Sequence, residues 1–415
     1  MIRKIISYLN LSQSKIEYFS YVILEKIVML IFHFYFIRTI NETYYGLYYQ
    51  INLISSYSAN ILLFGLSLPL LVSSINKGKL VNEVHTFKNV SILLYIILFF
   101  VFLLFSNSFA VIFFGSEDFN TYIFVLLIVL FTDLYSEYYI LFNRINEKLK
   151  NHSIFILTRT FLRISSLIFF YYILNDFFQA LIISSLLYLI TSLSFGFNKI
   201  GFFKTTYFKQ LNYASLFQIF KKAIGFYFFV LTSGLTHIIV SIYIVNQLDI
   251  KILGIYSFNF ILASIPSTLI SYIVFYSLPD FINKNKKNQQ SNLRKDLFFG
   301  IFIFIIFFII AILFYDFILL KLGNSYYSDL KLFIIFYIIN IIILINNFFQ
   351  IPYLAKNKTI NLILVNIFAN VSVIIYLFSI EKISLLTIIY SLMIPSVTMF
   401  LYLLYNKFIL KINIT

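Results

Sequence analysis

Six ionisable side chains lie inside long apolar runs of this sequence: Glu25, Lys26, Asp133, Glu137, Arg159 and Arg163. A charge in hydrocarbon is costly, so such groups pair with one another, face a watery cavity or bind a ligand. Asp133 and Glu137 are four residues apart, as are Arg159 and Arg163. On a helix that spacing puts each pair on one face. Counted from the ends that carry basic loops, all six lie roughly 9–16 Å deep at about 1.5 Å per residue. In an antiparallel helix hairpin, residues at equal depth share a constant index sum, which predicts that Glu137 faces Arg159 and Asp133 faces Arg163. Two chemistries follow. The charges, three of each sign, could neutralise one another and do nothing more. Alternatively Arg159, Arg163 and Lys26 could line a cavity and hold an anion, and a guanidinium suits phosphate because its planar fork donates two parallel hydrogen bonds. Glu25, Asp133 and Glu137 would then release the arginines and could take up protons, coupling movement to a proton or sodium gradient.

Other reactive side chains add little. Cysteine is absent, which removes disulfide and thiol chemistry. The four histidines lack metal-ligand spacing, so neither a metal nor another cofactor is expected. His237 reads as a packed residue. In the second half, Asn340, Asn346, Asn347, Gln350, Asn366 and Asn370 could bond sugar hydroxyls, but they read first as contacts between helices. Tyr135, Tyr138 and Tyr139 could stack on sugar rings, although interfacial anchoring is the default for tyrosine in a bilayer.

The elements that must position these groups are membrane spans. Of the 415 residues, 61% are hydrophobic and 11% charged, against about 25% charged in ordinary soluble proteins. A soluble particle could not be coated with so little polar surface. A membrane β-barrel would alternate apolar and polar residues over roughly ten positions; here the apolar runs are continuous, as from Phe298 to Leu320. Such runs match a helix crossing about 30 Å of hydrocarbon. We place about twelve spans, near 17–38, 45–73, 90–114, 120–143, 152–174, 177–197, 222–247, 252–278, 297–320, 329–351, 359–380 and 384–406. The basic N-terminal segment, Met1 to Lys15, has no small-residue cleavage site and reads as cytoplasmic rather than as a removable signal.

The net charge of +15 raises the question of nucleic acid, and its distribution answers it. Alternate connections hold 23 of the 31 basic residues, the opposite connections hold five (Arg38, Lys251, Lys321, Lys331 and Lys382), and three lie inside spans. That bias is a topology signal and places both termini in the cytoplasm of a multi-pass protein. No nucleic-acid partner is expected.

The chain also resembles itself. Tyr45-Gly46-Leu47-Tyr48 returns as Leu253-Gly254-Ile255-Tyr256, and Ile75-Asn76-Lys77 as Ile282-Asn283-Lys284. Pro69 corresponds to Pro279, and the basic loop around Lys148 to the one around Lys358, all at nearly one offset of half the chain. The expectation is an all-α polytopic membrane protein of two six-helix lobes, residues 1–210 and 211–415, around a central cavity. With six spans each, the halves run parallel about an axis along the membrane normal, an arrangement used by rocking transporters. No channel-like filter is visible, and the outer connections are too short to house an enzyme's catalytic groups.

The run Phe36-Ile37-Arg38-Thr39-Ile40-Asn41-Glu42-Thr43-Tyr44-Tyr45-Gly46-Leu47-Tyr48, followed by a polar-flecked helix and Phe64-Gly65-Leu66, resembles the first hairpin of the polysaccharide transporters. These belong to the multidrug/oligosaccharidyl-lipid/polysaccharide (MOP) superfamily. The second half repeats the pattern with Ala223-Ile224-Gly225, Leu253-Gly254-Ile255-Tyr256-Ser257, Ile265-Pro266 and Leu278-Pro279-Asp280-Phe281. The subfamily most similar is the Wzx-type flippase for O-antigen or capsular repeat units. The resemblance implies a bacterial inner-membrane protein that moves undecaprenyl-pyrophosphate-linked oligosaccharide from the cytoplasmic to the outer leaflet, alongside polysaccharide assembly proteins. It also implies that Lys26, Arg159 and Arg163 would meet the pyrophosphate. A cation-coupled multidrug exporter of the same superfamily is the alternative. A membrane polysaccharide polymerase is disfavoured because it would need a sizeable outer loop.

Overall fold

A computed structural model describes residues 13–63, 81–145, 149–200, 213–286, 293–313, 330–355 and 359–408. Among them all regular structure is helical. The first half contains α1 (Gln13–Thr39), α2 (Glu42–Leu62), α3 (Val81–Leu104), α4 (Ser106–Phe114), α5 (Thr121–Ile145), α6 (Leu149–Leu174) and α7 (Phe177–Ile200). The second contains α8 (Tyr213–Gln247), α9 (Ile250–Lys286), α10 (Leu293–Leu313), α11 (Leu330–Ala355), α12 (Ile360–Ser379), α13 (Leu385–Ser391) and α14 (Met393–Phe408). Phe64-Gly65-Leu66, Pro69, Ile75-Asn76-Lys77, Lys148, Lys321, Lys358 and the boundary after residue 210 lie outside the described residues.

These segments are helical because a bilayer offers their backbone groups no other partner. Eight described helices are long and apolar enough to cross a membrane, and α3 with α4 makes a ninth, bent by 90°. The sequence predicts one straight span over 90–114; the structure breaks it at Phe105, beside the polar run Ser106-Asn107-Ser108. Helix α2 is less apolar because it carries Gln50, Asn52, Ser55 and Ser56, polar groups that lie at or near the cavity described below. With α3/α4 and α13/α14 each taken as one pass, the helices make twelve passes. Outward faces such as Leu93, Ile97, Phe100 and Leu104 on α3, or Phe298, Phe302 and Leu313 on α10, are exposed and apolar. They face lipid.

Packing repeats after six passes. In the first lobe α1 lies on α6, α2 on α5, and α7 on both α5 and α6. In the second α8 lies on α12, α9 on α11, and α14 on both α11 and α12. Helix starts repeat as well: Asn41 caps α2 by accepting from the Tyr44 N–H at 2.9 Å, and Asp249 stands at the same place before α9, accepting from the Lys251 N–H at 3.3 Å. Both side chains satisfy amides that a helix N-terminus leaves unpaired.

The lobes meet most closely where α2 crosses α9, at Gly46 and Gly254. Nearby, on the side of the α1–α2 and α8–α9 turns, Asn246 Nδ2 of α8 donates to the Ile112 carbonyl of α4 at 2.9 Å. Gly115 ends α4 with φ of 80°, a left-handed conformation that suits glycine, and packs against Val245. Further along the same interface Tyr57 donates its hydroxyl to the Leu231 carbonyl at 2.5 Å.

Candidate functional site

Between the lobes lies a cavity of about 380 Å³. Five of the six predicted charges line it: Glu25 and Lys26 from α1, Asp133 from α5, and Arg159 and Arg163 from α6. Glu137, one turn from Asp133 on α5, is half-buried and outside the lining set, though its charge still acts on Arg159. The wall is completed by His33, Tyr48, Tyr49, Asn52 and Tyr188, with Phe260 and Ile261 contributed by α9 of the second lobe.

The predicted ion pairs are replaced by other contacts. Asp133 receives a hydrogen bond from Ser55 Oγ at 2.5 Å on one oxygen and from the Tyr188 hydroxyl at 3.0 Å on the other. Arg163 donates to Asn52 Oδ1 and places its guanidinium over the Tyr188 ring, 4.6 Å from the centroid. Arg159 lies over Phe155 and Tyr188, 5.8 Å from each centroid. Among the described residues no protein acceptor takes the N–H groups of Arg159. The reason is topological. The index-sum argument treats α5 and α6 as neighbours, but α7 packs along both and its Tyr188 reaches the charges first.

On α1, Glu25 accepts from Thr160 Oγ1 at 2.9 Å and forms an ion pair with Lys26 at 3.0 Å. His33 is buried and bonded to the Tyr45 hydroxyl at 3.0 Å, so the cavity wall is tied to the residue beside Gly46. Each carboxylate on the cavity wall therefore has a hydroxyl donor, while the arginines rest largely on aromatic faces. A ring face attracts a cation without accepting its in-plane N–H groups. The arrangement presents cationic donors to whatever enters.

Tyr135, Tyr138 and Tyr139 lie inside the first lobe rather than at an interface or on this cavity. Lys88, counted from sequence among the loop cations, is buried in α3 with its ammonium 5.9 Å from the Tyr138 ring. Three of the second-half amides make contacts between helices: Asn340 accepts from Ser267 at 3.0 Å, Asn346 donates to the Ser396 carbonyl at 2.8 Å, and Asn370 accepts from Thr236 at 2.6 Å. His237 packs on Phe260 with ring centroids 5.0 Å apart. Sequence reasoning missed Tyr188, Asn52, Ser55 and Thr160. Only the polar flecks in α2 hinted at Asn52 and Ser55.

No protein-family model matches the sequence, and no curated protein matches it. Solved structures do. An inward-facing multidrug resistance MATE family transporter of the MOP superfamily superposes with a TM-score of 0.66 at 13% identity, over 94% of this chain and 99% of that one. A MOP superfamily transporter from Pyrococcus furiosus Vc1, described as having a binding pocket of reverse polarity, gives 0.66 at 12% identity over 95% and 94%. A MATE structure in the bent conformation gives 0.63 at 13% identity over 97% and 95%. At these identities the likeness establishes the fold alone, and over nearly the whole of each chain.

Proposed function

We propose that this protein is a flippase moving undecaprenyl-pyrophosphate-linked oligosaccharide from the cytoplasmic to the outer leaflet of a bacterial inner membrane. One observation carries the reading: Arg159 and Arg163 line the inter-lobe cavity with guanidinium groups held on rings instead of paired with carboxylates. Pyrophosphate supplies the acceptors these donors call for, and each charge-assisted hydrogen bond contributes about 1.5–3 kcal/mol. Lys26, in an ion pair with Glu25, adds a third cation to the lining.

The cavity volume, about 380 Å³, falls in the usual range for ligand pockets of roughly 300–1,000 Å³. That accommodates the pyrophosphate and the first sugar, while the polyprenyl tail stays in hydrocarbon. Tyr48, Tyr49 and Asn52 on the same wall suit sugar faces and hydroxyls. The basic-loop bias assigns the Gly46/Gly254 contact to the outer side, so the headgroup enters from the cytoplasm and leaves when the lobes rock apart there. Glu25, Asp133 and Glu137 couple the cycle to a proton or sodium gradient.

The test is a deletion strain in which the sidedness of lipid-linked repeat units is measured. Loss of the protein should trap them on the cytoplasmic face, with recovery by the wild-type gene and none by Arg159→Ala. Normal outward display in the deletion strain would refute the assignment. The second reading, a cation-coupled multidrug exporter, is favoured by the likeness in fold to a multidrug resistance MATE family transporter. Resistance conferred against a panel of amphipathic cations, with no effect on lipid-linked sugar, would select it.

A further inference from the structure

We infer that Tyr188 is a positioning residue for the anion site: it keeps Asp133 from neutralising Arg163, so that guanidinium N–H groups stay available to a pyrophosphate. The inference rests on the anion-site reading of this cavity.

Tyr188 comes from α7, a helix that adds no charge to the cavity wall, and is 1% exposed. Its two ends do different work. The hydroxyl donates to Asp133 at 3.0 Å, and with Ser55 on the other oxygen both carboxylate oxygens of Asp133 are engaged. The ring receives Arg163 at 4.6 Å and Arg159 at 5.8 Å from its centroid. A carboxylate facing a guanidinium directly would take two of its N–H groups in a bidentate pair. A ring face holds the cation by its quadrupole and takes none of them. Carboxylate and pyrophosphate compete for the same donors, and the tyrosine decides the competition by binding one rival and stacking on the prize. The two remaining contacts fit this role: Asn52 accepts from Arg163 without adding negative charge, and Ser55 holds the second oxygen of Asp133.

The experiment uses the full chain in lipid nanodiscs, with sugar-free undecaprenyl pyrophosphate as probe and undecaprenol as the uncharged control. Tyr188→Phe keeps the ring and frees Asp133, so affinity for the pyrophosphate lipid should fall about tenfold, the equivalent of one charge-assisted hydrogen bond. Adding Asp133→Asn to Tyr188→Phe removes the competitor and should return affinity to within about twofold of wild type. A structural defect at a buried tyrosine would not be repaired by that second change. Wild type that prefers the pyrophosphate lipid, with Tyr188→Phe equally selective or with no rescue by Asp133→Asn, overturns the role of Tyr188 alone. Wild type that binds both lipids equally overturns the anion site and this inference with it.

Discussion

Gly46 and Gly254 close the interface between the lobes reciprocally. A Cβ on Gly46 would overlap the Ile250 carbonyl oxygen, and a Cβ on Gly254 would overlap the Glu42 carbonyl oxygen. The four residues form two pairs, 42 with 250 and 46 with 254, at the single offset by which the Tyr-Gly-Leu-Tyr motif recurs. A contact in which each helix does to its partner what the partner does to it is the mark of a two-fold axis. The repeat in the sequence is thus the seal in the structure, and the absent side chains let two backbones approach.

Replacing either glycine should therefore wedge this side open. Overpacking a tight contact costs about 1–3 kcal/mol, which shifts a two-state equilibrium roughly 5- to 150-fold. The native chain has no cysteine, so a pair of spin labels can be introduced cleanly. Labels at Glu117→Cys and Lys382→Cys, both exposed, report the distance across this side. Gly46→Ala or Gly254→Ala should lengthen that distance distribution; an unchanged distribution would remove the seal from the cycle.

The charges inside the first lobe separate balance from binding. If Arg159 served only to neutralise Glu137, removing both would restore what removing one destroys. The structure instead seats Arg159 on Phe155 and Tyr188. Arg159→Ala with Glu137→Ala should stay inactive in a complementation assay for surface polysaccharide. Recovery by the double variant would strip Arg159 of its contact with cargo.

How much of this was readable beforehand follows from what each signal depends on. Spans and buried charges stand out locally, because a bilayer penalises every exception to apolarity. The bend at Phe105 has no proline or glycine to announce it, only the polar triplet that follows. Tyr188 was illegible for a different reason. It is one of 33 tyrosines, and its importance comes from α7 lying against both α5 and α6, a relation that no pairwise spacing contains. The pairing rule for α5 and α6 expects Asp133 on Arg163, whereas Asp133 bonds Ser55 and Tyr188, and Arg163 bonds Asn52 and lies on the Tyr188 ring.

Asn370 tests the reading of the second lobe as scaffold. It accepts from Thr236 and donates to the Thr232 carbonyl at 2.8 Å, tying α12 to α8, and it is buried away from the cavity lining. Hydrogen bonds between membrane helices contribute about 0.6 kcal/mol on average and up to about 1.7. Asn370→Leu should lower thermal stability by an amount in that range and leave affinity for the lipid probe unchanged. A loss of affinity at unchanged stability would place Asn370 in the binding site.

Arg163→Lys is the most demanding test of the site's chemistry, because it keeps the charge. Lysine retains a cation near Tyr188 but loses the planar fork, and with it the ability to stack on the ring and bond Asn52 and a phosphate at once. If the cavity needs only positive potential, the variant should bind a pyrophosphate lipid almost as wild type does. The geometry requires more than potential, so affinity should fall about tenfold or further, equal to at least one lost charge-assisted hydrogen bond. Salt gives a second readout. Direct coordination should change less between low and physiological ionic strength than attraction by a diffuse positive field, which would weaken markedly. Retained affinity in Arg163→Lys together with strong salt dependence would replace the coordinated pyrophosphate by a simple electrostatic funnel.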